Sequence, residues 1–247
     1  GLCTTSMVYF FTAEDDFDGS VMITASHNPP SDNGLKVSMK TALPVGYANG
    51  LNEVEKLVAS DDSTYTPSPS TTPFAPSAEH LARYRSWQAK QSNLQPNQHL
   101  RYAVDCSNGM SSLLAHDLFP GAVFLNDTLD GTFPNHEPNP LVHKNVVALE
   151  ELVKKIGADA GVIYDGDADR VMFVDEKGHF VSPDLMIAVL GHYFIDERHE
   201  PGTVIQDIRS SKAVGEYLEP MGAKMFTWKV GRANAARKLR EIDGVWG

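Results

Sequence analysis

Between residues 101 and 174 the chain alternates short apolar runs with helical stretches, and no other feature restricts its fold so strongly. Arg101-Tyr102-Ala103-Val104, Ala122 to Leu125, Ala160-Gly161-Val162-Ile163-Tyr164 and Val171-Met172-Phe173-Val174 read as strands. The stretches near Met110 to Asp117 and from Lys144 to Ile156 read as helices. Strands joined through helices predict a compact, parallel-sheet α/β unit. Between its last two strands stands Asp165-Gly166-Asp167-Ala168-Asp169-Arg170, three carboxylates at alternate positions.

That spacing suits a hard divalent cation in two ways. Read as a calcium loop, Asp165, Asp167 and Asp169 fill positions one, three and five, and Glu176 falls at position twelve. The match fails at position six, where a sharp turn calls for Gly and Arg170 stands instead. It fails again in context, because Val171 to Val174 reads as a buried strand and no helix–loop–helix pattern frames the loop. The other reading is a tight loop between strands, with small Gly166 and Ala168 letting the backbone wrap a magnesium ion that keeps open positions for phosphate oxygen and water. Asp and Gly also make plain acidic surface turns; three Asp followed at once by Arg, between two apolar runs, argue against that here.

A second segment bears on the same chemistry. Thr24-Ala25-Ser26-His27-Asn28-Pro29-Pro30 follows the strand Val21-Met22-Ile23, which puts Ser26 on the loop past the strand's C-terminal end, where open α/β sheets hold their ligands. Taken alone these are ordinary turn residues. A Ser hydroxyl is a poor nucleophile unless a base or a metal activates it. His27 is adjacent, and Lys36 lies ten positions on, after the turn Asp32-Asn33-Gly34. Hydroxyl and carboxylates together predict a metal-assisted carrier of a phosphoryl group.

Punctuation organises the remainder. Val8-Tyr9-Phe10-Phe11 reads as a strand, Leu51 to Ala59 as a helix, and the Ser-, Thr- and Pro-rich stretch from Ser60 to Ser77 as a long connector. Ser77 is the expected N-cap of a helix carrying Leu81, Tyr84, Trp87 and Gln88 on one face. After Pro183 a helix through Phe194 and the strand Gly202-Thr203-Val204-Ile205 open a third unit. Arg237, Lys238 and Arg240 are expected on the solvated face of a helix from Ala233 to Glu241. Two distant cysteines, Cys3 and Cys106, argue against a disulfide framework. No apolar run approaches the roughly 20 residues of a membrane span. The N-terminal residues lack the pattern of a signal peptide, so the cytoplasm is the expected compartment.

The two loops resemble those of the α-D-phosphohexomutase superfamily, the phosphomannomutases and phosphoglucomutases. T-A-S-H-N-P-P followed by N-G-L-K resembles the family's phosphoserine loop, and D-G-D-A-D-R its metal loop. Val104-Asp105-Cys106-Ser107-Asn108-Gly109, Phe133-Pro134-Asn135-His136-Glu137-Pro138-Asn139-Pro140-Leu141 and Trp228-Lys229-Val230-Gly231-Arg232 match further stretches in the same order.

The resemblance implies consecutive similar α/β/α three-layer domains with mixed, mainly parallel sheets around a central cleft. Residues 1–95 would be the C-terminal part of domain I, 98–181 domain II and 182–247 the N-terminal part of domain III, with domain IV absent and the sugar-recognition loop lying beyond Gly247. It implies that Ser26 is phosphorylated and completes a Mg2+ site with Asp165, Asp167 and Asp169. His27 and Lys36 would move protons, and Arg170 would orient the phosphoserine or the substrate. Arg209, Lys229, Gly231 and Arg232 would contact a hexose phosphate. The phosphoryl group would pass to that sugar, a hexose 1,6-bisphosphate would turn around, and the other phosphoryl group would return to Ser26. Mannose or glucose phosphates are the implied substrates, with phosphoglucosamine mutase as the alternative; in isolation the stretch could be a non-catalytic cation-binding or phosphorylated module. Two positions depart from the pattern: Arg232 stands where many relatives have His, and Thr4-Thr5-Ser6 replaces Thr-Thr-Pro. A formal net charge of −11 offers no broad cationic field for nucleic acid. Anionic sugars would therefore need cations gathered locally, with Lys36, Arg170, Arg209, Lys212, Lys229 and Arg232 as candidates. Oligomeric state is not readable from the chain.

Overall fold

The computed structural model describes residues 1–60, 77–91 and 99–247. Their longer elements follow in chain order. The first part of the chain forms helix α1 (Thr5–Glu14), strands β1 (Gly19–Ile23), β2 (Leu35–Met39) and β3 (Leu43–Pro44), and helices α2 (Leu51–Ala59) and α3 (Ala78–Gln91). Next come β4 (Tyr102–Asp105), α4 (Ala115–Leu118), β5 (Val123–Leu125), α5 (Val147–Ile156), β6 (Ala160–Tyr164), β7 (Val171–Val174) and β8 (Phe180–Val181). The last part forms α6 (Pro183–Gly191), β9 (Thr203–Asp207), α7 (Lys212–Leu218), β10 (Lys224–Trp228) and α8 (Arg232–Glu241). The chain divides into two compact units. One holds Gly1–Lys36 with the described part of Tyr65–Val181. The other holds the described part of Val37–Thr64 with Ser182–Gly247.

The first unit is built on a five-stranded sheet in the order β5-β4-β6-β7-β8. β4 pairs in parallel with β5 and β6, whereas β6–β7 and β7–β8 are antiparallel. The sheet is mixed, as the resemblance implies: the acidic loop turns the chain directly back on itself, so no crossover helix intervenes and the next strand must run antiparallel. Alternate residues of β4 and β6 serve opposite faces. Ala103 and Ile163 face Leu149 and Val153 of α5, while Val104 and Val162 join Cys106 and Ala115 on the other side. Covering both faces explains why these strands are continuously apolar.

Residues 8–11 are helical, against the strand expected from their aromatic and β-branched content. Two forces override that propensity. The Thr4 side chain caps the helix by accepting from the Met7 N–H at 3.2 Å. Met7 and Phe10, three residues apart, then share one buried face with Tyr84 of α3. Phe10 lies 5.4 Å from the Tyr84 ring and 4.9 Å from that of Trp87. The face Leu81, Tyr84 and Trp87 read from the sequence is the one that α3 presents to this cluster, and Ser77 accepts from the His80 N–H as its cap.

Other boundaries shift locally. The stretch from Met110 splits into a 3-10 turn, Met110–Leu113, and the single turn of α4. The helix after Pro183 passes into a π-turn at His192–Glu197. Most of the Ser60 to Ser77 connector lies outside the described residues.

In the second unit β9 and β10 pair in parallel, with Asp207 opposite Trp228, over a core of Val204, Val214, Leu218 and Trp246. α8 does not present its basic residues only to water, as expected. Lys238 lays its stem over the sheet, its ammonium 4.6 Å from the Trp228 ring centre. Arg240 donates to the Thr41 carbonyl. Among the described residues no helix is long and apolar enough to cross a membrane.

Candidate functional site

β1 ends at Ile23, and the next five residues form a loop whose geometry is set by Thr24. Its hydroxyl accepts from the Ser26 N–H at 2.8 Å and donates to Asp167 Oδ2 at 2.8 Å. Ser26 is thereby held at φ +57°, a left-handed conformation that a non-Gly residue adopts only at a cost and that concentrates at functional sites. The hairpin closes through the Thr24 N–H on the Gly34 carbonyl, which brings Lys36 back beside the same loop.

The acidic loop comes from the other side. Asp165 is fully buried and Asp167 nearly so. Asp165 Oδ1 accepts from the N–H groups of Asp169 and Arg170, a tight wrap that also sets Ala168 at φ +58°. The three carboxylates each offer an oxygen within 4.8 Å of the others. Ser26 Oγ lies 3.5 Å from Asp165 Oδ2 and 3.2 Å from His27 Nδ1. Lys36 Nζ stands 2.5 Å from Asp167 Oδ2 and 2.6 Å from Asp169 Oδ2, and it also donates to Thr5 Oγ1. Arg170 Nε is 3.7 Å from Asp165 Oδ2. Ser26, His27, Lys36, Arg170 and the three aspartates are thus one cluster within the first unit.

Close approach of the two loops depends on glycine. A Cβ on Gly166 would sit 2.5 Å from the Ser26 carbonyl oxygen and 3.3 Å from Pro138. Replacing Gly166 by Ala should therefore push the serine loop back and cost about 1–3 kcal/mol. A chemical-denaturation midpoint equal to that of the wild type would show that the loops do not touch. Ser26, Thr24, Asp167, Met110 and Phe133 line a cavity of about 690 Å³, large enough for a small ligand.

The electrostatics favour a cation at this cluster. Burial, reinforced by the Asp167 and Asp169 charges, pushes the Asp165 carboxyl up to about 7. Burial opposes ionisation of Asp167 as well, but its bonds to Lys36 and Thr24 outweigh that and hold it below the usual range. Asp167 Oδ1 is buried without a hydrogen-bond partner, an arrangement that costs free energy unless something positive satisfies it. All-oxygen donors, crowded like charges and an orphaned carboxylate oxygen fit a hard divalent ion. Lys36 is desolvated, yet its two carboxylate partners keep it an ammonium. His27 is held below the ordinary imidazole range by burial and by Arg170, so its neutral ring can accept from Ser26.

A pH dependence follows from Asp165. With its folded pKa raised, the native state binds a proton that the unfolded chain has released, so stability from this group is lost as pH rises through about 7. A divalent cation needs the ionised form and should restore what is lost. The rise in thermal midpoint on adding Mg2+ should therefore be larger at pH 8 than at pH 6; an equal rise at both would detach Asp165 from the ion.

Thr24 and Thr5 contact the acidic loop and its lysine, positions that residue chemistry alone does not single out. Thr5 also donates its backbone N–H to the Asp167 carbonyl. The available signals are that Thr24 opens the serine loop and that Thr5 lies in the Thr4-Thr5-Ser6 stretch.

The substrate candidates belong to the second unit. Arg209 and Lys229 leave the C-terminal ends of β9 and β10, whose last residues are in register, the edge where α/β sheets hold ligands. Arg209 is exposed and forks onto Asp207, with Nη2 2.6 Å from Oδ2. Gly231 adopts φ +116° immediately before α8, and Arg232 is the first residue of that helix.

Profiles of the alpha/beta/alpha domains I, II and III of phosphoglucomutase/phosphomannomutase match residues 1–65, 78–178 and 182–247 in that order. The chain belongs to the phosphoglucomutase/phosphomannomutase family. Among curated members it is 33% identical, over 255 residues, to a protein named "Phosphohexose mutases" from Xanthomonas campestris, covering 100% of this chain and 55% of that protein. It thus spans about half the length of the curated phosphohexomutases it matches. A solved phosphoglucomutase/phosphomannomutase family protein from Burkholderia thailandensis superposes with a TM-score of 0.81 at 25% identity, over 99% of this chain and 54% of that one. The fold is shared more distantly with Aspergillus fumigatus N-acetylphosphoglucosamine mutase, solved with GlcNAc-6P and magnesium: TM-score 0.59, 18% identity, 97% of this chain and 62% of that one.

Proposed function

We propose that the protein containing this chain is a magnesium-dependent phosphohexomutase that interconverts hexose 1-phosphates and 6-phosphates through phosphorylated Ser26. The observation that carries the reading is the Ser26 hydroxyl standing 3.5 Å from Asp165 Oδ2 of the three-carboxylate cluster, with the Ser26 N–H tied to Asp167 through the Thr24 hydroxyl. Asp165, Asp167 and Asp169, with an oxygen of the Ser26 phosphate, would hold magnesium, which when bound would supply charge neutralisation for the moving phosphoryl group. The chain's own residues do the remainder. Transfer breaks the Ser26 Oγ–P bond and forms a bond from phosphorus to a sugar oxygen; the proton that the sugar hydroxyl gives up ends on Ser26 Oγ, which leaves as a hydroxyl. His27 Nδ1, 3.2 Å from Ser26 Oγ, is placed to deliver that proton and, when Ser26 attacks in the return half, to accept it as the neutral ring, while the Lys36 ammonium and Arg170 hold anionic oxygens. The second half of the cycle reverses these steps on the other phosphate of a hexose 1,6-bisphosphate.

Arg209, Lys229, Gly231 and Arg232 are proposed to hold the sugar phosphate. The division into domains at 1–95, 98–181 and 182–247 is part of the same reading, as is a cytoplasmic location. Mannose and glucose phosphates are the proposed substrates because the family profile is named for both. Glucosamine phosphate is the competing substrate, since relatives 31% and 30% identical are named probable phosphoglucosamine mutases. The test is turnover by the complete protein of glucose, mannose and glucosamine 1-phosphates, with magnesium and with excess chelator. Magnesium-dependent isomerisation of at least one is expected; turnover of none would end the reading.

A further inference from the structure

The segments Asp105 to Gly109 and Phe133 to Pro140 have no part in the chemistry described above, yet they form the seat of the acidic loop. Asp105, at the end of β4, is a fully buried carboxylate. Its Oδ1 accepts from the Ser107 N–H at 2.8 Å and the Asn126 amide at 2.9 Å. Its Oδ2 lies 3.1 Å from His136 Nε2, and the other ring nitrogen of His136 lies 2.8 Å from the Glu137 carbonyl. Both ring nitrogens therefore face groups that can only accept, which the doubly protonated ring satisfies and a neutral one does not. Burial alone would pull the His136 pKa down, but the bonds to Asp105 and the Glu137 carbonyl outweigh it and leave it above the ordinary value.

The loops that this ion pair joins hold the acidic loop directly. Ser107 Oγ donates to the Tyr164 carbonyl at 2.6 Å, one residue before Asp165. The Met110 N–H donates to the Gly166 carbonyl at 2.9 Å, and Gly109 approaches Gly166 so closely that a Cβ there would lie 2.7 Å from its oxygen. On the other side Asn135 donates to Asn108 Oδ1, and Phe133 and Pro138 border Gly166. Ser107, Asn108, Asn126 and Phe133 all have φ near +50°, conformations that persist only where the surroundings impose them. A buried carboxylate left unpaired would be costly, so the pair with His136 fixes the register of these loops.

We propose that His136 is a positioning residue: as an imidazolium clamped between Asp105 and the Glu137 carbonyl, it locks the two loops on which Gly166 is seated and so holds the carboxylates of the acidic loop in their cation-binding arrangement. The proposal rests on the cation reading of that loop, and the experiment has an arm independent of it. Amide hydrogen exchange of the metal-free whole chain is read over residues 164–171, and Mg2+ alone is titrated calorimetrically, for the wild type, His136→Ala and His136→Gln. His136→Ala should speed exchange across Asp165 to Arg170 and weaken Mg2+ binding by about tenfold, the effect typical of residues that support metal ligands. Gln, whose amide nitrogen reaches the position of Nε2, should recover most of both. If Ala does not fold, His136→Asn, too short to reach Asp105, gives the same contrast against Gln. Wild-type exchange and affinity in the Ala or Asn variant, or a Gln variant as impaired as Ala, would overturn the role of His136. A wild-type chain that takes up no Mg2+ would instead overturn the cation reading, with the exchange arm still deciding whether His136 holds the loop.

Discussion

Ser26→Ala, introduced into the complete protein, should abolish hexose phosphate isomerisation, with a loss of at least about 10⁴-fold, as expected when a covalent carrier is removed. The side chain is only half-buried and its backbone geometry is imposed by Thr24, so the variant should fold and melt close to the wild type. Binding and catalysis should also separate. The carboxylate cluster is untouched, so Mg2+ should still bind, while no phosphoryl group can be stored. Substantial turnover in a folded Ser26→Ala protein would place the carrier elsewhere, since no other residue of the cluster offers a hydroxyl beside Asp165 at the 3.5 Å seen for Ser26.

The second large effect should come from Asp167→Asn. Asn keeps the shape of Asp but removes the charge, and Asp167 carries both the orphaned buried oxygen and the bonds to Thr24 and Lys36. Losing a residue that merely supports a ligand costs about 10–100-fold in metal affinity, so losing a ligand charge should cost at least about 100-fold. Calorimetric titration with Mg2+ reads this directly. Lys36 retains Asp169 at 2.6 Å, and the fold should survive. An unchanged titration would move the ion away from this loop.

The acidic loop was legible because it lies between two adjacent strands, and strand–loop–strand local order is written in consecutive residues. Ser26 was legible for a similar reason, placed at the end of β1. What joins them was not. The Thr24 to Asp167 bond spans 143 positions, and a threonine near a strand end has too many ordinary uses to signal one. The helix α1 was misread because Val8 to Phe11 favours strands locally. Its conformation is decided by packing on Tyr84 and Trp87, more than 70 positions away, which propensity cannot see. The antiparallel return of β7 is likewise a matter of register, and Lys238 reads as a surface charge until its ammonium is found above Trp228. The segments around Asp105 and His136 stood out as motifs, but their work is done through backbone contacts to Tyr164 and Gly166 that no residue type announces.

The most direct test of a phosphoryl carrier at Ser26 is phosphopeptide mass spectrometry of the protein after incubation with glucose 1,6-bisphosphate, with and without Mg2+. A phosphoryl group on Ser26 that exchanges with the sugar bisphosphate only when the metal is present is the expected result. A folded complete protein with no phosphate on Ser26 under either condition would contradict it, and would leave the three aspartates as a cation site without a carrier.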